Sequence, residues 1–310
     1  MTPSRHVAVT IDLARIRKNA ELLSRVAGVP LIGVVKADAY GLGADRVAPV
    51  IADLVDGFYV FELAEAIAAR LADTGKRTIV VQAASMNSDD YLSRRAQPVV
   101  WDSESARLLR RASPVLSVDT GQQRFGVPIS DDRNIDAILH SGGVTEAYTH
   151  ATTVTQAVAF ATALRGRVPF LHAAGTALIA EPSARLDAVR PGLALYRGAA
   201  TVSVPLVEVT DTDGPAGYSG FAARRHGVVL AGYSNGLRPG SCAVNGRVTR
   251  ILEVGMQSAF IECTEHDRVG DTVELMGPQI TEALIATAWG TSPQEALVRM
   301  SGMGERRWIG

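Results

Sequence analysis

The sequence predicts an α/β protein in which a (β/α)8 TIM-type barrel is followed by a mostly β C-terminal domain. Eight short apolar segments rich in β-branched residues recur through the first two-thirds of the chain, and most precede a stretch with helical spacing. Near Val202 the composition shifts towards Gly, Val and turn residues, which favours short strands. A chain of 310 residues suits about two domains. We therefore expect the barrel to span residues 10–201 and the β domain to span residues 202–310.

The eight apolar segments are the predicted barrel strands. Turn or polar residues bound each one, as is typical of strands buried on both faces of a parallel sheet. The clearest helix covers Leu63–Asp73 and stops before Gly75, and Asp102 is expected to cap a later helix. Eight β–α units in series favour a closed barrel over an open sheet. The predicted strands are Leu31–Val35, Phe58–Phe61, Thr78–Gln82, Pro98–Trp101, Val115–Val118, Thr145–Tyr148, Pro169–His172 and Gly192–Tyr196.

Alternating apolar and polar residues predict the strands of the second domain. An N-terminal segment, His6–Asp12, has the same character and precedes the first barrel helix, so we expect it to pair with that domain. The alternating segments are Gly227–Leu230, Val248–Leu252, Ser258–Glu262 and Thr272–Leu275.

Composition and charge exclude several classes of partner. The formal net charge is −1 and the pI is about 6.6, so nothing favours a nucleic-acid or anionic-membrane partner. Cys242 and Cys263 stand alone, without the spacing of a metal site or a disulfide framework. Charged residues interrupt the N-terminus before any apolar run of signal-peptide length, and no stretch approaches the roughly 18 apolar residues of a membrane span. These features favour a cytoplasmic protein without a bound metal.

Polar residues follow several predicted strands directly. Lys36 follows the first strand, Glu62 the second, Asp119 and Arg124 the fifth, and His150 the sixth. Because the chemistry of such barrels sits at the carboxyl ends of the strands, this pattern predicts a site there. A strand-end lysine is partly desolvated, which lowers the pKa of its amine and suits Schiff-base chemistry.

Seven motifs in one order resemble those of the alanine racemase family. The first, VVKADAYGLG, contains Lys36 and is similar to that family's pyridoxal-lysine motif. The other six are VDTGQQRFG at 118–126, YTH at 148–150, HAAGTA at 172–177, VRPGLALY at 189–196, GYSG at 217–220 and GYSNG at 232–236.

The resemblance implies a pyridoxal 5′-phosphate (PLP) enzyme, an isomerase that interconverts L- and D-alanine in a homodimer. Lys36 would anchor the cofactor as a Schiff base and act as one catalytic base, and Tyr218 from the partner subunit would be the other. Arg190 would face the pyridine nitrogen, and His150 would share in the electrostatic setting. Arg124 would hold the cofactor's phenolic oxygen and the substrate carboxylate. The resemblance assigns phosphate contacts to Tyr40, Thr176, Gly192 and Leu193, and a substrate contact to Met256.

The chain departs from the family pattern at four positions. Gln294 stands in place of a tyrosine that contacts the phosphate, and Gln257 replaces an aspartate of the substrate channel. Ser117 replaces a lysine that is often carbamylated, and Gly175 stands where asparagine is common. These departures leave the preferred amino acid open, because they change the channel and the cofactor's support rather than the bases.

Other functions on the same architecture stay open. One is a racemase of a larger amino acid, such as serine or a basic one, and another is a catalytically weak paralogue. A PLP-dependent decarboxylase would set an acidic residue against the pyridine nitrogen, where this chain has Arg190. A non-catalytic PLP carrier of the single-barrel type would lack the domain that contains Tyr218.

Overall fold

A computed structural model describes residues 7–310, which form two compact units. The barrel unit contains Ile16–Ala39 and Gly43–Tyr196. The β-sheet unit contains Arg197–Gly310, Tyr40–Leu42 and, of the described N-terminal residues, 7–15. His6, the first residue of the predicted N-terminal strand, lies outside the described residues.

The strands and helices are numbered along the chain. The strands are β1 (Ala8–Asp12), β2 (Ile32–Val34), β3 (Gly57–Glu62), β4 (Arg77–Gln82), β5 (Ala96–Val100), β6 (Val115–Asp119), β7 (Val127–Pro128), β8 (Glu146–Ala151), β9 (Phe170–Gly175), β10 (Ala188–Arg190), β11 (Ala200–Asp211), β12 (Arg225–Val229), β13 (Ser241–Val244), β14 (Arg247–Val254), β15 (Ala259–Glu262), β16 (Thr272–Met276) and β17 (Glu305–Ile309). The helices are α1 (Leu13–Ala27), α2 (Lys36–Gly41), α3 (Ala44–Ile51), α4 (Leu63–Ala68), α5 (Ser88–Leu92), α6 (Ser103–Leu109), α7 (Asp132–His140), α8 (Val154–Leu164), α9 (Pro182–Arg185), α10 (Leu193–Tyr196), α11 (Glu282–Trp289) and α12 (Pro293–Ser301).

Eight parallel strands form the barrel in the order β2-β3-β4-β5-β6-β8-β9-β10. A parallel bridge between Leu31 and Val189 joins the first strand to the last. Two backbone hydrogen bonds reinforce this join, from Val189 N to Pro30 O at 3.0 Å and from Val34 N to Pro191 O at 3.0 Å. The predicted (β/α)8 barrel is therefore confirmed.

One cluster of apolar side chains fills part of the barrel, where alternate residues of the strands point inward. Two tyrosines are hydrogen-bonded to each other there: the Tyr59 hydroxyl donates to the Tyr148 hydroxyl at 3.2 Å. The buried side chains of one interior cluster are Ile32, Ile79, Val99, Val115, Tyr148 and Ala188.

The predicted eighth strand, Gly192–Tyr196, is wrong. The strand is β10 (Ala188–Arg190), and the predicted segment contains the helical turn α10. Pro191 lacks an N–H, so it accepts from Val34 but cannot donate a hydrogen bond to the ladder. Nearly all residues from 188 to 196 are buried, and an apolar run alone does not distinguish a buried strand from a buried helix. The hydroxyl of Tyr196 donates to Val34 O at 2.7 Å, which ties α10 to the first strand.

The predicted helix over Leu63–Asp73 is shorter than expected. It ends as α4, and a 3-10 turn follows over Leu71–Thr74, because Arg70 has a left-handed backbone with φ of 53°. The predicted cap at Asp102 is confirmed, since its Oδ1 accepts a hydrogen bond from Ser105 N at 2.8 Å.

The β-sheet unit contains one eight-stranded sheet in the order β12-β15-β14-β13-β16-β11-β1-β17. β1 pairs antiparallel with β11 and parallel with β17. The four segments predicted from alternation lie within or overlap β12, β14, β15 and β16. In the part of the chain that the structure describes, no helix combines the length and hydropathy needed to cross a bilayer.

Candidate active site

Lys36 follows the last residues of β2 at the carboxyl end of the barrel, where a left-handed turn begins. The four residues Ala37 to Tyr40 have φ between 52° and 60°. A left-handed helical backbone costs about 1–2 kcal/mol per residue that has a Cβ atom. Three hydrogen bonds hold the turn: Ala39 N donates to Val35 O at 2.9 Å, Ala37 N to Glu65 at 2.7 Å, and Ala44 N to Asp38 Oδ1 at 2.8 Å. Strain of this kind persists only where the surrounding structure fixes it, as it does at functional sites.

Glu65 connects this turn to the second barrel strand and was not among the predicted site residues. Its Oε1 accepts the N–H of Ala37, and its Oε2 accepts those of Phe61 at 2.7 Å and Glu62 at 3.2 Å. Glu62 and Glu65 form a reciprocal capping box at the start of α4. The spacing Glu-x-x-Glu after a strand was the signal that would have found it.

The surroundings of Lys36 favour its neutral amine. Burial lowers the pKa of Lys36, and the positive charges of Arg124 and Arg190 lower it further against the opposing charge of Glu65. A neutral amine has the lone pair that a nucleophile or a base requires.

Arg124 lies on the loop after β6, which Asp119 organises. The Asp119 carboxylate accepts the backbone N–H groups of Gly121 and Gln122 at 2.7 Å each, and that of Arg124 at 3.2 Å. The exposed guanidinium lies 5.6 Å from the ring centroid of Phe125. This loop therefore supports Arg124 through its backbone, whereas Ser117 is buried within β6.

His150 lies on β8, at the same end of the barrel as Lys36. Desolvation lowers the pKa of His150 to about 4, and the charges of Arg190, Lys36 and Arg124 act in the same direction. The imidazole is therefore neutral at pH 7. The charges of Arg190, Lys36 and Arg124 all act on His150, so the barrel brings these four predicted site residues near one another.

Arg190 is buried, and its guanidinium meets only acceptors among its hydrogen-bond partners. Nη1 contacts Nδ1 of His172 and donates to the His172 carbonyl at 3.0 Å, while Nη2 donates to Thr149 O at 2.6 Å and Ala173 O at 3.5 Å. Its Cζ lies 4.6 Å from the ring centroid of Tyr148. Nε takes part in none of these bonds. Partners that only accept hydrogen bonds, together with a tyrosine face, are what a protonated guanidinium requires.

A chain of polar side chains runs from Arg190 through the barrel interior. His172 Nε2 bonds to Glu146 Oε1 at 2.8 Å, Glu146 Oε2 pairs with Arg77, and Arg77 pairs with Asp56 at 2.7 Å. Burial and the charge of Arg190 lower the pKa of His172 to about 4. Burial would raise the pKa of Glu146, but its bonds to His172 and Arg77 outweigh this and lower it. His172 is therefore neutral with its proton on Nε2, and its Nδ1 lone pair faces Arg190.

Glu146→Ala is expected to destabilise the protein by about 3–5 kcal/mol, because it leaves Arg77 and His172 without their shared buried acceptor. The side chain of Glu146 is 6% exposed. Urea unfolding measures the loss. As a matched control, Glu262→Ala removes the exposed pair with Arg250 and is expected to cost about 1 kcal/mol or less. Equal losses in the two variants would contradict the role of this chain of contacts.

Stability is expected to fall as the pH decreases from about 6.5 towards 4. His172 binds its proton in the unfolded chain near the ordinary pKa of 6.5 but in the folded protein only near 4, so the unfolded state takes up more protons in this window. Between pH 7 and pH 5 this residue alone is expected to remove about 2 kcal/mol. Urea unfolding at the two pH values checks it, and His172→Gln should weaken the dependence without abolishing it, because the pKa of His150 is also lowered to about 4. An unchanged free energy of unfolding in the native protein would contradict the assignment.

Thr176 organises the loop after β10. Its Oγ1 accepts hydrogen bonds from Gly192 N at 3.2 Å and Ala194 N at 3.3 Å, at the start of α10. Leu193 is buried between these two residues. Converging backbone N–H groups at a helix start form a favourable setting for a phosphate.

The other predicted site residues belong to the β-sheet unit. Tyr218 is 96% exposed on a loop between β11 and β12, and Met256 is 61% exposed after β14. Tyr40 is partly buried. Gln257 and Gln294, which depart from the family pattern, are both exposed.

Comparisons with known proteins agree along the chain. The family model described as "Alanine racemase, N-terminal domain" matches residues 11–200, and that described as "Alanine racemase, C-terminal domain" matches residues 215–308. An alanine racemase of Neisseria meningitidis is 29% identical over 94% of this chain and 96% of its own length. One from Pseudomonas entomophila is 28% identical, over 95% and 96% of the two chains.

Solved structures share the fold. The biosynthetic alanine racemase of Pseudomonas aeruginosa is 26% identical, covers 99% of this chain and 100% of its own, and superposes with a TM-score of 0.87. The alanine racemase of Bartonella henselae with covalently bound pyridoxal phosphate is 22% identical, over 99% and 100% of the two chains, with a TM-score of 0.86. The resemblance inferred from the ordered motifs is confirmed, and the chain belongs to the alanine racemase family.

Proposed function

We propose that this protein is a PLP-dependent racemase that interconverts L- and D-alanine with Lys36 and Tyr218 as its two bases. The observation that carries the proposal is the setting of Lys36, a partly desolvated amine at the barrel mouth beside the permanent charges of Arg124 and Arg190. The curated relatives from Neisseria meningitidis and Pseudomonas entomophila are named alanine racemases.

The residues of the barrel fit the cofactor. The backbone N–H groups of Gly192 and Ala194 converge on the Thr176 hydroxyl. A phosphate would bind at this group of donors. Lys36 would form the covalent link, and Arg190 Nε would meet the pyridine nitrogen. When bound, the cofactor supplies the electron sink that weakens the Cα–H bond of an amino acid. The Bartonella henselae protein of the same fold is described with this group bound covalently.

Arg190 limits what this site does with a substrate. Its guanidinium is held among acceptors and donates without releasing its proton. The pyridine nitrogen would therefore receive a hydrogen bond rather than a proton, which favours simple return of a proton to Cα over decarboxylation or transamination. The same property disfavours a decarboxylase, in which an acidic residue would occupy this position.

Arg124 and His150 would set the charge around the substrate. The exposed guanidinium of Arg124 is suited to a carboxylate, which is the one charged group common to all α-amino acids. His150 is neutral at pH 7, so it adds no third fixed cation to this end of the barrel.

Racemisation needs a second base on the opposite face of Cα, and we assign this to Tyr218. Its side chain is 96% exposed within the single chain, so it is free to enter the site of a second copy. We therefore propose a homodimer in which each active site takes Tyr218 from the partner. Specific activity should fall on dilution below the dimer dissociation constant. Full activity from a strict monomer in sedimentation would contradict this arrangement.

Chiral chromatography tests the activity directly. Protein saturated with PLP is incubated with L-alanine, and D-alanine is expected to accumulate to near-equal amounts. Parallel incubations with L-serine and L-lysine determine whether Gln257 and Gln294 have shifted the preference to a larger side chain. No inversion of any of the three amino acids would contradict the proposed function.

A further inference from the structure

The loop that carries Tyr218 is held by one carboxylate on a neighbouring strand. Glu253, on β14, accepts the backbone N–H of Tyr218 through Oε1 at 3.0 Å and that of Ser219 through Oε2 at 2.7 Å. The loop closes on itself with a hydrogen bond from Ala216 N to Phe221 O at 3.1 Å. Glu253 therefore binds two consecutive peptide groups on either side of the Tyr218 backbone.

The loop is shaped to admit this carboxylate. Gly217 has a φ of 67°, and a Cβ atom there would lie 2.8 Å and 2.9 Å from the two carboxylate oxygens of Glu253. Gly220 also has a φ of 67°. Only glycine meets both the left-handed backbone and the close approach at position 217 without strain. Gly217 therefore leaves the space that the Glu253 carboxylate occupies.

Glu253 is ionised in this arrangement. The hydrogen bonds from Ser219 and Tyr218 lower the pKa of its carboxyl group. A charged acceptor forms shorter and stronger hydrogen bonds with peptide N–H groups than a neutral one. The carboxylate of Glu262, on the neighbouring strand β15, is instead engaged by Arg250 at 2.7 Å.

We propose that Glu253 is a positioning residue that fixes the direction of the Tyr218 side chain and so sets the rate of proton transfer on one face of the substrate. The inference rests on the proposed function. Tyr218 is 96% exposed, so its direction comes from its backbone and not from packing within its own unit. Two hydrogen bonds on consecutive peptides fix that backbone, and a base displaced by about 1 Å loses about 10²-fold in rate.

The test compares four variants in D2O, starting from each alanine enantiomer: Glu253→Ala, Glu253→Gln, Tyr218→Phe and, as a matched control, Glu262→Gln. Proton NMR follows exchange of the Cα hydrogen, and chiral chromatography follows inversion. Glu253→Ala is expected to lower kcat for racemisation about 10–100-fold with little change in KM. When the reaction starts from the enantiomer whose Cα hydrogen faces Lys36, this variant should still exchange that hydrogen with solvent without inverting the centre. It should not do so from the other enantiomer. Tyr218→Phe should give the same asymmetry more strongly, and Glu262→Gln should match the native protein.

Glu253→Gln keeps one acceptor but turns an NH2 group towards a peptide N–H, so its loss should be smaller than that of Glu253→Ala. It also keeps the test decisive if Glu253→Ala does not fold. Two results would overturn this inference but not the proposed function. One is equal slowing of exchange from the two enantiomers in the Glu253 variants. The other is native racemisation by Glu253→Ala and Glu253→Gln while Tyr218→Phe is inactive. Native racemisation by Tyr218→Phe would overturn the two-base proposal and this inference with it.

Discussion

Lys36→Ala is expected to lower the rate of alanine racemisation by at least about 10³-fold. The variant loses both the amine that links the cofactor and one of the two bases. Its absorbance in the near-ultraviolet and visible range should no longer show a covalently bound cofactor. Chiral chromatography and the absorbance spectrum are the two measurements.

Lys76→Ala is the matched control for this substitution. Lys76 directly precedes β4, so it lies at the amino end of a barrel strand, opposite to the end where Lys36 follows β2. We expect native activity and a native spectrum. Substantial racemisation by the Lys36→Ala protein would show that another group performs both of its roles.

Tyr218→Phe is expected to lower kcat for racemisation by about 10²–10⁴-fold, because it removes one proton-transfer group and nothing else. The side chain is almost fully exposed in the single chain, so the variant should have the same urea midpoint of unfolding as the native protein. The loss should therefore appear in kcat, and the binding of PLP should not change.

Tyr91→Phe removes the same hydroxyl at a position that no proposed step uses. Tyr91 is buried on α5, and its hydroxyl donates to Ser85 O at 3.0 Å. We expect a small loss of stability and native kcat. A Tyr218→Phe protein as active as the Tyr91→Phe protein would remove Tyr218 from the mechanism.

The barrel could be predicted because the patterns that mark its strands and helices are local in the sequence. Short β-branched runs alternate with helical segments, and this period identifies seven of the eight strands near their observed positions. The eighth was misplaced because one buried run covers both β10 and α10, and only the missing N–H of Pro191 marks their boundary. The ordered motifs identified the residues that gather around Lys36 without any knowledge of their distances.

The supporting carboxylates could not be predicted in this way, because their partners are distant in sequence. Glu146 is 69 residues from Arg77, and Glu253 is 35 residues from Tyr218. Neither pair has a spacing that local periodicity reveals, and both depend on which strands become neighbours. Glu65 is the exception, since its capping-box spacing with Glu62 is local and was readable.

The central claim is that Lys36 binds the cofactor covalently, and the sequence makes it unusually easy to test. The chain contains three lysines: Lys18, Lys36 and Lys76. Borohydride reduction of the protein with PLP, followed by protease digestion and mass spectrometry, identifies the lysine that carries a reduced pyridoxyl group. Our account predicts stoichiometric label on Lys36 alone. Label on Lys18 or Lys76 at the same level, or an unlabelled Lys36, would contradict it.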